Sequence, residues 1–154
     1  MASGPVAPFI ERLMPQFDKA TAEQMLTGVF APWVQELGLS VESLETNSAI
    51  LRMKFSEKLC RDNGVVCGQA LMSLADTAMV FAVSSASGAY RPMTTVDQTM
   101  HFLRPVANAD VLAAAQVVRL GRTMAFGSVT LTAEGDERPA AMAQLAYALL
   151  SESK

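Results

Sequence analysis

Cys67-Gly68-Gln69-Ala70-Leu71-Met72-Ser73-Leu74-Ala75-Asp76-Thr77-Ala78 sets one carboxylate inside an apolar, alanine-rich run. Leu71, Leu74, Ala75, Ala78, Phe81 and Ala82 recur at helical spacing, and neither Pro nor Gly follows Gly68 before about Ser85, so the segment predicts a long helix. Aspartate is a poor helix-interior residue and its charge is costly to bury without a partner. Asp76 therefore needs a reason beyond solubility: it is either a structural carboxylate satisfied by neighbouring donors or a reactive group. Ala75, Ala78, Ala82 and Ala86 share a stripe of small side chains, which suits a helix that approaches a sheet closely. Gly68 falls at the helix start, where the first N–H groups lack intrahelical acceptors and the helix dipole favours negative charge.

Composition narrows the classes around this helix. The chain has 154 residues, 51% of them hydrophobic, enough for one domain with a sizeable core. The net charge of -3 and the lack of a Lys/Arg cluster argue against nucleic acid as a partner. No apolar run is read as long enough to cross a bilayer, and Met1 to Pro5 lacks the basic-then-apolar layout of a signal peptide, so a cytoplasmic protein is expected. Cys60 and Cys67, six residues apart, match neither a redox pair nor a zinc site and are expected as reduced thiols. One histidine, His101, excludes a histidine-rich metal centre and leaves a Ser-His-Asp triad a single candidate base.

Working outward, Phe9, Ile10, Leu13, Met14 and Phe17 form an amphipathic helical pattern interrupted by Pro15, an N-terminal helical extension over residues 1–20. Thr21-x-x-Gln24 has capping-box spacing and opens a second helix through Met25, Leu26, Val29 and Phe30, broken at Pro32 by a turn that Gly38 closes. Ala49, Leu51, Met53 and Phe55 then alternate with Ile50, Arg52 and Lys54 as a strand. A polar loop from Ser56 to Asn63-Gly64 leads into the long helix. After Gly88 four strands are predicted, 94–103, 111–120, 124–133 and 139–150, of which the last is also helix-tolerant through its alanines. On the first of these strands His101 shares a face with Thr95, Asp97 and Thr99 and is read as a satisfied structural histidine. One or two helices, two strands, a long helix and four strands give an α+β fold, with an antiparallel sheet wrapped around the central helix over residues 21–154.

Three signatures in this order resemble the hotdog-fold acyl-CoA thioesterases of the phenylacetate-degradation and 4-hydroxybenzoyl-CoA types. Gly64-x-x-Cys67-Gly68-Gln69, followed after six residues by Asp76, is similar to the family's G-x-x-H-G-G-(x)6-D/E segment. Thr95-Val96-Asp97 with Phe102-Leu103-Arg104-Pro105 is similar to the strand after its central helix, and Gly121-Arg122-Thr123-Met124-Ala125-Phe126-x-x-Val129 to its next hairpin. The resemblance spans roughly residues 35–150 and implies hydrolysis of a thioester to a free acid and CoA, without metal or organic cofactor. It implies that Asp76 is the catalytic carboxylate, as general base or nucleophile, that the Gly68 N–H polarises the carbonyl, and that Thr95 positions the carboxylate or the water. Arg104, Arg119, Arg122 and Thr123 become candidates for CoA phosphates.

The pattern departs from the family at three places: its histidine is Cys67, its second glycine is Gln69, and the asparagine three residues before Gly64 is Arg61, with Asn63 nearby. Cys67, Gln69, Arg61 and Asn63 are thus counted with the substrate-binding residues, and these changes keep a second reading open, a non-catalytic acyl-CoA or lipid-binding protein on the same fold. A thiol at a helix start can act as nucleophile, but with His101 on another element we read Cys67 as a small apolar filler. Leu71, Met72 and Phe81 are expected to set the depth of the acyl pocket. Gly68 and Asp76 are eight residues apart, about 12 Å along a helix axis at ~1.5 Å per residue, so one carbonyl cannot touch both within one chain. A homodimer with antiparallel helices and shared sites is expected, and the resemblance extends this to a homotetramer.

Overall fold

In the computed structural model, residues 17–151 are described. The amphipathic stretch of the N-terminal extension lies outside them except for Phe17, whose ring centroid sits 6.4 Å from that of Phe81. Helix α1, Lys19–Gly28, is followed by a short helix α2, Pro32–Gln35, with Pro32 in its first turn. The cap of α1 differs from expectation: Asp18, not Thr21, is the N-cap, and its side chain accepts a hydrogen bond from the Thr21 N–H at 2.8 Å. The cap therefore lies three residues before the Thr21 box, and Thr21 is the third residue of the helix, whose orphan N–H the Asp18 carboxylate accepts.

Strands β1, Leu39–Glu45, and β2, Ser48–Met53, precede a small hairpin, β3, Cys60–Arg61, with β4, Val65–Val66, inside the segment read as a polar loop. The central helix α3 runs Gly68–Ser87 and ends at Gly88, whose φ of +77° a side chain would strain. Strands β5, Met93–Phe102, β6, Val111–Leu120, β7, Met124–Ala133, and β8, Ala141–Leu149, follow within two residues of their expected bounds. The helix-tolerant last segment is a strand because it pairs on both sides, with β7 and β5. The main sheet has the order β1-β2-β6-β7-β8-β5, antiparallel throughout, with α3 on one face, which is the hotdog architecture.

The small-residue stripe lets the helix come down onto the sheet: Ala75, Ala78 and Ala82 are fully buried. Facing it, Ala49, Leu51 and Met53 of β2, Ala113 and Ala115 of β6 and Val129 and Leu131 of β7 complete the core. The approach is close enough that a Cβ on Gly127 would lie 2.7 Å from the Gln116 carbonyl and overlap Met79. By length and composition α3 could cross a membrane, contrary to expectation, with a mean hydropathy of 1.3 over its window. It is hydrophobic because the sheet surrounds it, and 61% of that window is buried within the fold.

A one-residue bulge at Val96 changes what β5 presents. Thr95 pairs with Tyr147 and Asp97 with Ala146, so Val96 is left over and the alternation changes parity. Gln98, Met100 and Phe102 follow Thr95 onto the helix side, while Asp97, Thr99 and His101 turn to the outer face. The shared face expected for His101 and Thr95 is therefore broken, and His101 is exposed on the outer face. A second bulge, at Val118 of β6, likewise sends Arg119 outward opposite Phe126.

Candidate active site

Helix α3 and edge strand β5 lie alongside one another and meet at three rungs. A Cβ on Gly68 would lie 3.3 Å from the Phe102 ring. Four residues on, the Gln98 side-chain amide donates to the Met72 carbonyl at 3.0 Å. After four more, the Thr95 hydroxyl donates to Asp76 Oδ1 at 3.0 Å. Residues 68, 72 and 76 form one stripe because an i, i+4, i+8 series stays on one face of a helix. The same series places Gly68 and Asp76 at opposite ends of β5, as their axial separation requires.

Asp76 has a second donor that sequence reading did not single out. The Tyr147 hydroxyl hydrogen-bonds to Asp76 Oδ1 and lies 2.9 Å from the Asp76 backbone carbonyl. Tyr147 is 1% exposed. Burial above all, and then the neighbouring Asp76 carboxylate, push its hydroxyl well above the ordinary tyrosine range, so it stays a protonated donor. Thr95 and Tyr147 are cross-strand partners on the helix-facing side, and the bulge directly after Thr95 keeps that pair in register with the helix. Both donors converge on one carboxylate oxygen; Oδ2 accepts no hydrogen bond among the described residues. A half-buried carboxylate with one oxygen anchored and the other free can take a proton from water or attack an electrophilic carbon.

The helix start carries the remaining part of the predicted motif. Gly68 is the first residue of α3, so its N–H has no intrahelical acceptor. Cys67 is the N-cap position, its N–H donating to the Leu59 carbonyl at 2.9 Å, and its half-buried side chain packs against the core. Gln69 is exposed, as are Arg61 in β3 and Asn63 in the turn between β3 and β4, where Asn63 has a φ of +63°. Gly64 approaches Asn108 so closely that a Cβ would lie 2.8 Å from its side-chain oxygen, which ties this turn to the segment after β5.

The candidate phosphate ligands do not form one cluster. Arg104 lies at the Gly68 end, its guanidinium donating to the Pro139 carbonyl at 2.7 Å. Beside it Arg138 pairs with Asp136 at 2.8 Å, and that hydrogen-bonded pairing holds the Asp136 carboxyl down at about 2. Arg119, Arg122 and Thr123 lie at the other end, around the β6–β7 turn, where the Arg122 carbonyl accepts from Arg91 at 3.4 Å. Arg104 and the Arg119–Arg122 group sit at opposite ends of the sheet.

On its other flank Asp76 borders a cleft of about 100 Å³, lined by Ser73, Asp76, Thr77 and Val80 of α3 and by Phe30, Trp33 and Val34. Of the residues expected to set pocket depth, Leu71 and Phe81 are instead buried core, and Met72 is exposed on the β5 side. Phe81 lies directly behind the cleft wall, stacked on Phe30, and helical periodicity alone could not separate such buried positions from a pocket wall. Among the described residues no group of three His, Cys, Asp or Glu side chains is placed to hold a metal ion.

Comparison with known proteins places this geometry. The family model described as the Thioesterase superfamily matches residues 63–140, from the turn before α3 to the start of β8. A candidate esterase of Halobacterium salinarum is 33% identical over 115 residues, 71% of this chain and 76% of that protein. Among solved structures, a candidate thioesterase from Silicibacter sp. superposes with a TM-score of 0.79 at 29% identity, covering 90% of this chain and 96% of that one. A mutant form of the phenylacetic acid degradation protein of Thermus thermophilus has a TM-score of 0.68 at 27% identity, covering 78% of this chain and all of its own.

Proposed function

Because the chain belongs to the thioesterase superfamily, and so has a thioesterase-type hydrolase function, we propose that it hydrolyses acyl-CoA thioesters to a free acid and CoA. The observation that carries this reading is the anchoring of Asp76 Oδ1 by Thr95 and Tyr147, which leaves Oδ2 free. Two neutral hydroxyl donors fix the carboxylate without neutralising it, the state that a base or nucleophile requires. In hydrolysis Oδ2 takes a proton from water as the water oxygen attacks the thioester carbonyl, or itself attacks to give an anhydride that water then opens. In either route the carbonyl oxygen gathers negative charge, and a backbone N–H preorganised at a helix start stabilises it. Collapse of that intermediate expels the CoA thiolate. No step calls on a metal or an organic cofactor.

Gly68 of the partner subunit supplies the oxyanion donor in this reading, since Gly68 of the same chain lies at the far end of β5. A two-fold dimer in which the β5 edges and α3 helices run antiparallel brings each Asp76 to the other chain's helix start and forms two equivalent sites. It would also bring Arg104 of one chain toward the Arg119–Arg122 group of the other, joining the two halves of the phosphate site. Pairing of such dimers into a tetramer and a cytoplasmic location belong to the same proposal.

The test is a screen across short, medium, long and aryl acyl-CoAs with release of free thiol as the readout. Turnover of at least one class, abolished by Asp76→Asn, is expected. No turnover together with calorimetric binding of acyl-CoA would replace the enzyme with a non-catalytic acyl-CoA-binding protein.

A further inference from the structure

We propose that the cleft between α3 and the α1–α2 segment is the seat of the acyl chain, that Trp33 and Val80 set its length, and that the preferred substrates carry short aliphatic acyl groups. This rests on the acyl-CoA reading above and adds the substrate class to it. Helix geometry joins the cleft to the carboxylate. At about 100° per residue, Gly68 and Met72 lie to one side of Asp76 on the α3 wheel, while Val80, Ser73 and Thr77 lie to the other. Asp76 stands at the boundary, its Oδ1 held from β5 and β8, with the cleft directly on its opposite flank. A carbonyl placed at Oδ2 therefore has one direction toward the β5 edge and another into the cleft.

The lining suits a hydrocarbon. The Thr77 hydroxyl donates to the Ser73 carbonyl at 2.7 Å and the Ser73 hydroxyl to the Gln69 carbonyl at 2.8 Å, so both hydroxyl protons are spent on the helix itself. What remains toward the opening is methyl and ring surface from Thr77, Val80, Val34, Phe30 and Trp33. Phe30 is fixed by stacking on the fully buried Phe81, centroids 5.7 Å apart. Trp33, by contrast, is 59% exposed, a large apolar ring kept against solvent at the rim. An enclosed cavity of about 150 Å³ accepts benzene. A cleft of about 100 Å³ takes a chain of roughly three to five carbons, and anything longer must pass the Trp33 ring. Residues 30–34 lie outside the span 63–140 matched by the family model.

Trp33 is the one tryptophan of the chain, which gives the inference a readout independent of turnover. In Asp76→Asn, butyryl-CoA at concentrations that calorimetry shows to be saturating should shift and intensify Trp33 emission, and CoA alone should not. Unchanged emission at saturation would overturn the acyl seat, whether or not the parent is an enzyme. In the parent, kcat/KM should be highest for butyryl- or hexanoyl-CoA. Trp33→Ala should raise the ratio of octanoyl- to butyryl-CoA turnover at least tenfold, and Val80→Phe should lower it, in keeping with about tenfold or more per methylene in an apolar pocket. Trp33 is largely exposed, so its removal should leave the fold intact, checked by thermal melting. Hydrolysis with the same length profile in both folded variants would overturn the inference while leaving the thioesterase reading in place. No hydrolysis by the parent on any chain length would overturn that reading instead, with the emission experiment still deciding where the acyl group sits.

Discussion

The two sides of α3 are built to opposite specifications. The side facing β2, β6 and β7 carries Ala75, Ala78 and Ala82, all fully buried against strands whose inward residues are equally closed. The side along β5 carries Gly68, Met72 and Asp76, each touched by one residue of the edge strand, with Asp76 held in addition by Tyr147 of β8. Small side chains serve both, for different reasons. On the sheet side they shorten the distance between helix and sheet, and their value is packing density. On the β5 side the small residue at position 68 exposes a backbone N–H, and the one charged residue of α3 stands eight residues on, held by hydroxyls. Changes on the first side should cost stability, and changes on the second should cost chemistry.

The largest effect falls on the second side. Asp76→Asn keeps the acceptor for Thr95 and Tyr147 but cannot accept a proton or attack. We expect kcat to fall by about three orders of magnitude or more with an unchanged melting temperature. Tyr147→Phe comes next: removing the hydroxyl unpins Oδ1 while the ring still fills its buried place. Steady-state kinetics should show kcat lowered roughly ten- to a hundredfold with KM little changed, a split that general loss of structure would not give. On the sheet side, Ala78→Leu should destabilise by about 1–3 kcal/mol in denaturant titration through overpacking, with activity per folded molecule near that of the parent. A drop in activity without a drop in stability would break the contrast between the two sides. The smallest effect is expected at the helix start, where Cys67→Ala should retain activity within a few fold if the thiol only fills space. A folded but inactive alanine variant would make the thiol the nucleophile.

The same contrast explains what could be read in advance. Strand positions and the central helix were legible because alternation and helical spacing record which residues face the core, and the core is the well-determined side. Asp76, Gly68 and Thr95 were legible through the resemblance and through the oddity of a charge among alanines. Tyr147 was not, since its neighbours in β8 are alanines and leucine, and only pairing with Thr95 reveals what its hydroxyl does. A tyrosine with a hydroxyl to satisfy on the buried face of a largely apolar strand was the available signal. His101 was misplaced by one residue's worth of parity, because nothing in Thr95-Val96-Asp97 announces a bulge. The cleft could not be anticipated either: it is made by α3 and by residues 30–34, segments that meet only in three dimensions.

The claim on which the rest depends is that the two ends of the β5-side stripe meet only across a two-fold axis, and subunit mixing tests it most directly. Asp76→Asn lacks the carboxylate; Gly68→Val blocks the helix start, where even a Cβ would crowd Phe102. Each homodimer should be inactive. After denaturation and co-refolding, with heterodimers confirmed by native mass spectrometry, one site in each heterodimer holds both intact groups. An equimolar mixture should then recover about a quarter of the parental activity per chain. Heterodimers as inactive as either parent, or a dilute monomer with full activity, would contradict the shared site and remove Gly68 from the mechanism.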